Sequence, residues 1–155
     1  MAKAPPLPPR WFVNLAWRVH RGIYRISGGR KGLRRPNRER YGLMRLTTIG
    51  RRSGQERSVI LAYLEEGSAV VTLAMNGWAP AEPAWWLNLQ DHAEARLELV
   101  DRSLPVIART ADGDERERLW DRWRDLNNGD ELDAYATRRP GGTAVVVLEP
   151  IAQAG

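Results

Sequence analysis

The chain has 155 residues, 43% of them hydrophobic, a formal charge of +5 and no cysteine. That is the length of one domain with enough apolar content for one sizeable core, and it excludes a disulfide framework or a thiolate metal site. With His20 and His92 as the only histidines, no histidine-rich metal centre is expected and haem ligation is poorly supplied.

No apolar run approaches the roughly 20 residues of a membrane span, and the N-terminus lacks the continuous apolar stretch of a secretory signal. The expectation is a cytoplasmic protein. Charge is unevenly distributed: through Arg57 there are 15 Lys and Arg against 2 acidic residues, net +13, and beyond it 9 against 17, net −8. The first part therefore favours an anionic partner, with nucleic acid, anionic lipid and a phosphorylated cofactor all qualifying.

Residues 1–9 are a proline-rich, extended lead-in. From 10 to 26 the pattern is helical, with Trp11, Leu15, Val19, Ile23 and Ile26 at steps of three and four and arginines between them. This basic amphipathic helix either docks on its own domain or makes peripheral contact with a membrane. Glycines at 28 and 29 end it, giving a boundary near residue 30 and a single domain over 31–155. The basic connector 30–40 is expected either to order against a partner or to be a solvated loop.

A strand over 41–49 leads into a tight turn carrying Arg51, Arg52, Ser53 and Arg57, and a second strand follows over 58–64. Guanidiniums offer planar forks of donors matched to phosphate or carboxylate oxygens, and turn amides add backbone donors. The turn reads as an anion site rather than a merely solvated basic hairpin, because glycines and a small hydroxyl are interleaved with the arginines. It is not a Walker loop: the spacing is absent and no helix follows.

A turn at 65–68 precedes a strand over 69–75. Pro83 suits the first turn of a short, largely buried helix, 84–89, with Trp85, Trp86 and Leu89. Alternation gives a half-buried strand over 93–99, and 104–108 returns, with Pro105 indicating a sheet edge or a bulge. Asp112 or Asp114 caps a helix over 115–126 with Leu119, Trp120, Trp123 and Leu126 on its apolar face. A short helical turn then runs towards residue 135, and 143–148 is a buried closing strand. Short links between successive strands argue antiparallel pairing. The predicted architecture is mainly β, a small antiparallel barrel with peripheral helices.

Four segments in one order carry a resemblance: Thr47 to Arg57 around Gly50 and Gly54, Pro83 to Leu89, Ala108 to Ala111 before an acidic helix, and Val145 to Pro150. From about residue 43 to 150 the chain resembles the deazaflavin-dependent nitroreductase family of actinobacteria, which has a split β-barrel fold. The resemblance implies that the chain binds coenzyme F-420, with FMN as the alternative cofactor, and transfers a hydride to an electrophilic small molecule: an activated alkene, a quinone or a nitro compound. It implies that Arg51, Arg52, Ser53 and Arg57 hold the anionic tail. It also implies that Ser58, Val59, Ile60, Leu61, Ala62, Leu73, Ala74, Met75, Asn76, Ala84, Trp85, Trp86, Leu87 and Asn88 surround the ring.

Trp78, Leu132 and Tyr135 fall at substrate-pocket positions, Tyr135 being the candidate proton donor. Three departures matter. Met75 and Asn76 replace a serine–lysine pair common in relatives, Leu132 stands where a second tyrosine is expected, and Trp78 fills a usually small position. A tighter, more apolar pocket follows, suited to a bulky enone or quinone. The competing readings are a split-barrel flavin or haem binder without turnover, and a basic module for membrane or nucleic acid. Nucleic acid is not expected, because no recognition motif is present.

Overall fold

A computed structural model of the chain describes residues 32–75, 81–126, 132–134, 137 and 142–151. The expected helix over 10–26, and with it the boundary near 30, lies outside these residues. Six strands follow the chain as β1 (Gly42–Ile49), β2 (Glu56–Glu66), β3 (Ala69–Leu73), β4 (Glu94–Glu98), β5 (Ser103–Thr110) and β6 (Val145–Pro150). Helix α1 (Ala84–Asp91) links β3 to β4, and α2 (Gly113–Leu126) stands between β5 and β6. The strands close into a barrel in the order β1-β2-β3-β6-β5-β4, every pair antiparallel. The expected antiparallel barrel is the fold.

Period-two alternation sorts the side chains into two cores. Inside the barrel, Met44, Leu46, Leu61, Tyr63, Val70, Leu97, Val106, Val146 and Leu148 pack together, and Trp85, Trp86 and Leu89 of α1 join them. On the outer face of β2, β3 and β6, Leu64, Val71, Leu73, Val145 and Val147 meet Leu119 and Trp123 of α2. Each face of these strands is therefore covered, which explains the near-continuous apolar run in β6.

Gly42 is fixed by close approach. A Cβ there would lie 2.5 Å from the Tyr63 ring and 2.8 Å from the Arg34 carbonyl oxygen. That contact belongs to a small anchor: Arg34 and Leu43 form an antiparallel bridge, and the Arg34 guanidinium lies 5.3 Å from the Tyr41 ring centre. Leu33 is buried. Residues 32–34 of the connector are thus tied to the barrel, whereas Arg35 and residues 37–40 are exposed, as in a solvated loop.

Other expectations shift in detail. Strand β2 is longer at both ends than predicted, and β6 lies two residues further along. Helix α2 starts at Gly113, with the Asp112 carbonyl accepting from the Arg116 N–H at 3.2 Å. Pro83 stands at the N-cap of α1 rather than within its first turn. Pro105 marks neither an edge nor a bulge: β5 is paired on both sides. Register directs its missing N–H towards Ile151, just past the end of β6, where Ile151 still donates to the Pro105 oxygen at 3.0 Å. A proline is tolerated where a ladder stops.

Candidate active site

The β1–β2 connection is a rigid turn. The Gly50 N–H donates to Gln55 O and the Gly54 N–H to Gly50 O, both at 2.8 Å, and the Gln55 N–H donates to Ser53 Oγ at 3.2 Å. Gly54 has φ of 70°, in the left-handed region that favours glycine. Because Ser53 Oγ accepts from the turn, its O–H remains to donate outward. Arg51, Arg52 and Arg57 are all exposed, and among the described residues none of them makes an ion pair.

Helix α1 reaches this turn through one side chain. Asn88, only 4% exposed, accepts through Oδ1 from the Arg51 main-chain N–H at 3.1 Å and from Arg51 Nη1 at 3.2 Å. Its Nδ2 donates to the buried Thr48 Oγ1 at 3.1 Å. The same helix buries Trp85 and Trp86 edge to face, ring centres 6.2 Å apart, and exposes Ala84.

Beside the turn the barrel parts. Strand β2 is paired to β1 from Tyr63 down to Glu56, whereas its ladder with β3 covers only Leu64↔Val71 to Glu66↔Ala69. Antiparallel register turns the main-chain groups of Arg57, Val59, Leu61 and Tyr63 towards β1 and those of Ser58, Ile60 and Ala62 towards β3. Above the last β2–β3 rung these groups face a slit, bridged by Thr72 Oγ1 donating to Ala62 O at 2.8 Å. A cationic turn therefore stands at the head of a strand edge whose peptide groups lie outside the β2–β3 ladder.

Comparison with known proteins decides what such a barrel is. The family model described as F420H(2)-dependent quinone reductase matches residues 16–150. The chain belongs to that family. An F420H(2)-dependent quinone reductase of Mycobacterium tuberculosis is 30% identical over 133 residues, covering 84% of this chain and 87% of the relative. Among solved structures, an F420-H2 dependent reductase superposes with a TM-score of 0.61 at 28% identity, over 69% of this chain and 93% of that one. A chain described as a domain-swapped dimer superposes with a TM-score of 0.63 at 27% identity, over 85% of this chain and 97% of that one. The protein is accordingly a split-barrel, F-420-dependent oxidoreductase, and F-420 rather than FMN is its cofactor.

For a family member the described residues can be sorted by face. Ser58, Ile60 and Ala62 project outward, whereas Val59 and Leu61 pack against or within the barrel core. Ala74 is also interior. Leu73, Met75 and Leu132 gather with Ala62 in the outer cluster, beside α2. Of the residues expected around the ring, Ser58, Ile60, Ala62, Leu73 and Met75 thus lie on the outward side, and Val59, Leu61, Ala74, Trp85 and Trp86 form an inner support. Asn76, Trp78 and Tyr135 lie outside the described residues.

The residues fit an anionic, flat cofactor: guanidiniums without an ion pair among the described residues meet a negative tail, and a strand edge with an apolar flank meets a ring. The sequence reading missed Thr48 as a partner and the β2 edge altogether. Neither carries a side-chain signal, since both arise from register. Away from the turn, Arg109 is held by Glu115 and Glu149, which push its pKa up, while Arg109 holds the Glu115 carboxyl below its usual range. Among the described residues no helix is long and apolar enough to cross a membrane.

Proposed function

We propose that this protein reduces a quinone with the reduced coenzyme, and that the β1–β2 turn is the handle by which the coenzyme is held. Arg51, Arg52 and Arg57, with the Ser53 hydroxyl, bind the tail's phosphodiester and carboxylates. The main-chain groups of Ser58 and Ile60 face the ring's polar edge, and Ala62, Leu73, Met75 and Leu132 form the apolar wall next to it. Val59, Leu61, Ala74, Trp85 and Trp86 back that wall and keep water from the barrel side, which sharpens positioning.

When bound, the reduced coenzyme supplies a hydride, which with one proton converts a quinone to its hydroquinone. The observation that carries the reading is the trio of arginines at the head of the slit, without a carboxylate partner among the described residues. Apolar quinones partition into lipid. On that ground we also assign the basic amphipathic stretch 10–26 to peripheral contact with anionic membrane, tested by salt-reversible co-sedimentation of the full chain with anionic vesicles.

Titration of the purified protein with oxidised coenzyme, followed by its fluorescence, is expected to give micromolar or tighter affinity. The double variant Arg51→Ala with Arg52→Ala is expected to weaken it tenfold or more, since charge-assisted hydrogen bonds contribute about 1.5–3 kcal/mol each. Unchanged affinity in that variant removes the handle.

A further inference from the structure

Asn88 sits at a position the resemblance places among ring contacts, yet its amide is already engaged. Both Arg51 groups that reach it are donors only, so the amide oxygen must be the atom that faces them. The amide nitrogen is then directed to Thr48 Oγ1, a hydroxyl whose residue is 0% exposed. Three hydrogen bonds of 3.1, 3.2 and 3.1 Å link a helix, a strand and a turn through one nearly buried side chain.

We propose that Asn88 is a positioning residue, a neutral clamp that presets Arg51 for the coenzyme's anionic tail. This rests on the functional reading above. The clamp occupies Nη1 and leaves the Nε–Nη2 edge of the guanidinium, the edge that grips two oxygens side by side. An amide is suited to this because it orients the guanidinium without cancelling its charge. The flexible stem of a free arginine would otherwise lose rotamer freedom on binding.

Two kinds of measurement test the clamp. In the free protein, hydrogen exchange of the Arg51 amide, followed by NMR, is expected to accelerate at least tenfold in Asn88→Ala and to stay slow in Asn88→Asp, whose carboxylate preserves the acceptor. In titrations with oxidised coenzyme, both variants are expected to bind about tenfold more weakly, the first because Arg51 is released and the second because its charge is neutralised. In an Arg51→Ala background, Asn88→Ala is expected to change affinity less than twofold.

A tenfold further loss in that background would mean that Asn88 acts on the coenzyme without Arg51, and the clamp would be refuted. Wild-type affinity in Asn88→Asp, or an unaltered Arg51 amide in Asn88→Ala, would refute it too. A wild-type protein that fails to bind the coenzyme would overturn the functional reading instead. The clamp would then stand or fall on the exchange rates alone. Should Asn88→Ala fail to fold, Asn88→Asp still reads both the exchange rate and the affinity.

Discussion

Two groups of arginines share this barrel and are used in opposite ways. On the α2 flank, Arg109 bridges Glu115 and Glu149, Arg118 and Arg122 both hold Glu66, and Arg124 lies 3.1 Å from Asp133. These bridges fasten α2 to β2, β5 and β6. At the β1–β2 turn, Arg51, Arg52 and Arg57 have no carboxylate partner among the described residues, although Glu56 lies within the same segment and pairs instead with Arg96 at 3.7 Å. Charge-paired guanidiniums stabilise a fold modestly, whereas those without a counter-charge on a hydrogen-bonded turn keep their field for a ligand. The comparison gives each arginine a role from its neighbours rather than from its identity.

The largest expected effect tests the turn. Replacing Arg51, Arg52 and Arg57 together by alanine should lower coenzyme affinity at least a hundredfold, because up to three charge-assisted contacts of about 1.5–3 kcal/mol are lost. Melting temperature, read by calorimetry, should change by about 1 °C or less, or rise, since like charges are being removed from water-exposed positions. A large fall in melting temperature would show that the turn's arginines hold the fold, and the contrast would fail.

The flank should answer in reverse. Glu66→Ala leaves Arg118 and Arg122 without their shared carboxylate. These groups are half exposed, so the cost should be about 1 kcal/mol, or roughly 2–4 °C in melting temperature for a chain of this size. Affinity for the coenzyme should be unaltered in the same titration. A matching loss of affinity would mean that the two regions are coupled.

The same two regions show how far the sequence could be read. Strand positions, the three hairpins and the apolar face of α2 follow from local periodicity, and the arginine turn was visible because its glycines and serine flank the charges. What was not visible is long-range register. Nothing local says that β6 enters between β3 and β5, or that β4 closes onto β1. For the same reason Asn88 could not be matched to Arg51, which is 37 positions away. The stretch from Ser58 to Ala62 teaches a different point. Alternation alone divides it between two faces, so carrying it over from the resemblance as one continuous wall set aside a local rule that the structure obeys.

A smaller effect comes from the acidic side of the flank. Arg109 holds the Glu115 carboxyl below its ordinary range, so the folded state prefers the ionised form. The stabilisation is present above the unfolded carboxylate pKa of about 4.3 and is lost as pH falls through the lower folded value. Glu115→Gln should therefore be less stable than the parent near neutrality, by about 0.5–1 kcal/mol for so exposed a pair. The two should converge in acid. A difference that persists unchanged at pH 3 would assign the effect to packing.

The smallest effect at neutral pH lies at the far end of the barrel from the turn, where polarity is handled neither by pairing nor by exposure. Tyr63 is fully buried, its hydroxyl has no partner among the described residues, and burial pushes its pKa up to about 12. Here the folded state prefers the neutral form, so the sign is opposite to that of Glu115. Stability is intact below the unfolded value of about 10 and falls as pH rises from there towards 12. Tyr63→Phe removes a hydroxyl without a protein partner among those residues and preserves the ring that packs against Gly42. Near neutrality it should alter stability by less than about 1 kcal/mol, in either direction. Above pH 10 its melting temperature should decline less steeply than that of the parent, and coenzyme affinity should be the same in both. If the two alkaline limbs coincide, the hydroxyl is hydrated in solution, and the barrel floor is open to water in a way that its packing does not suggest.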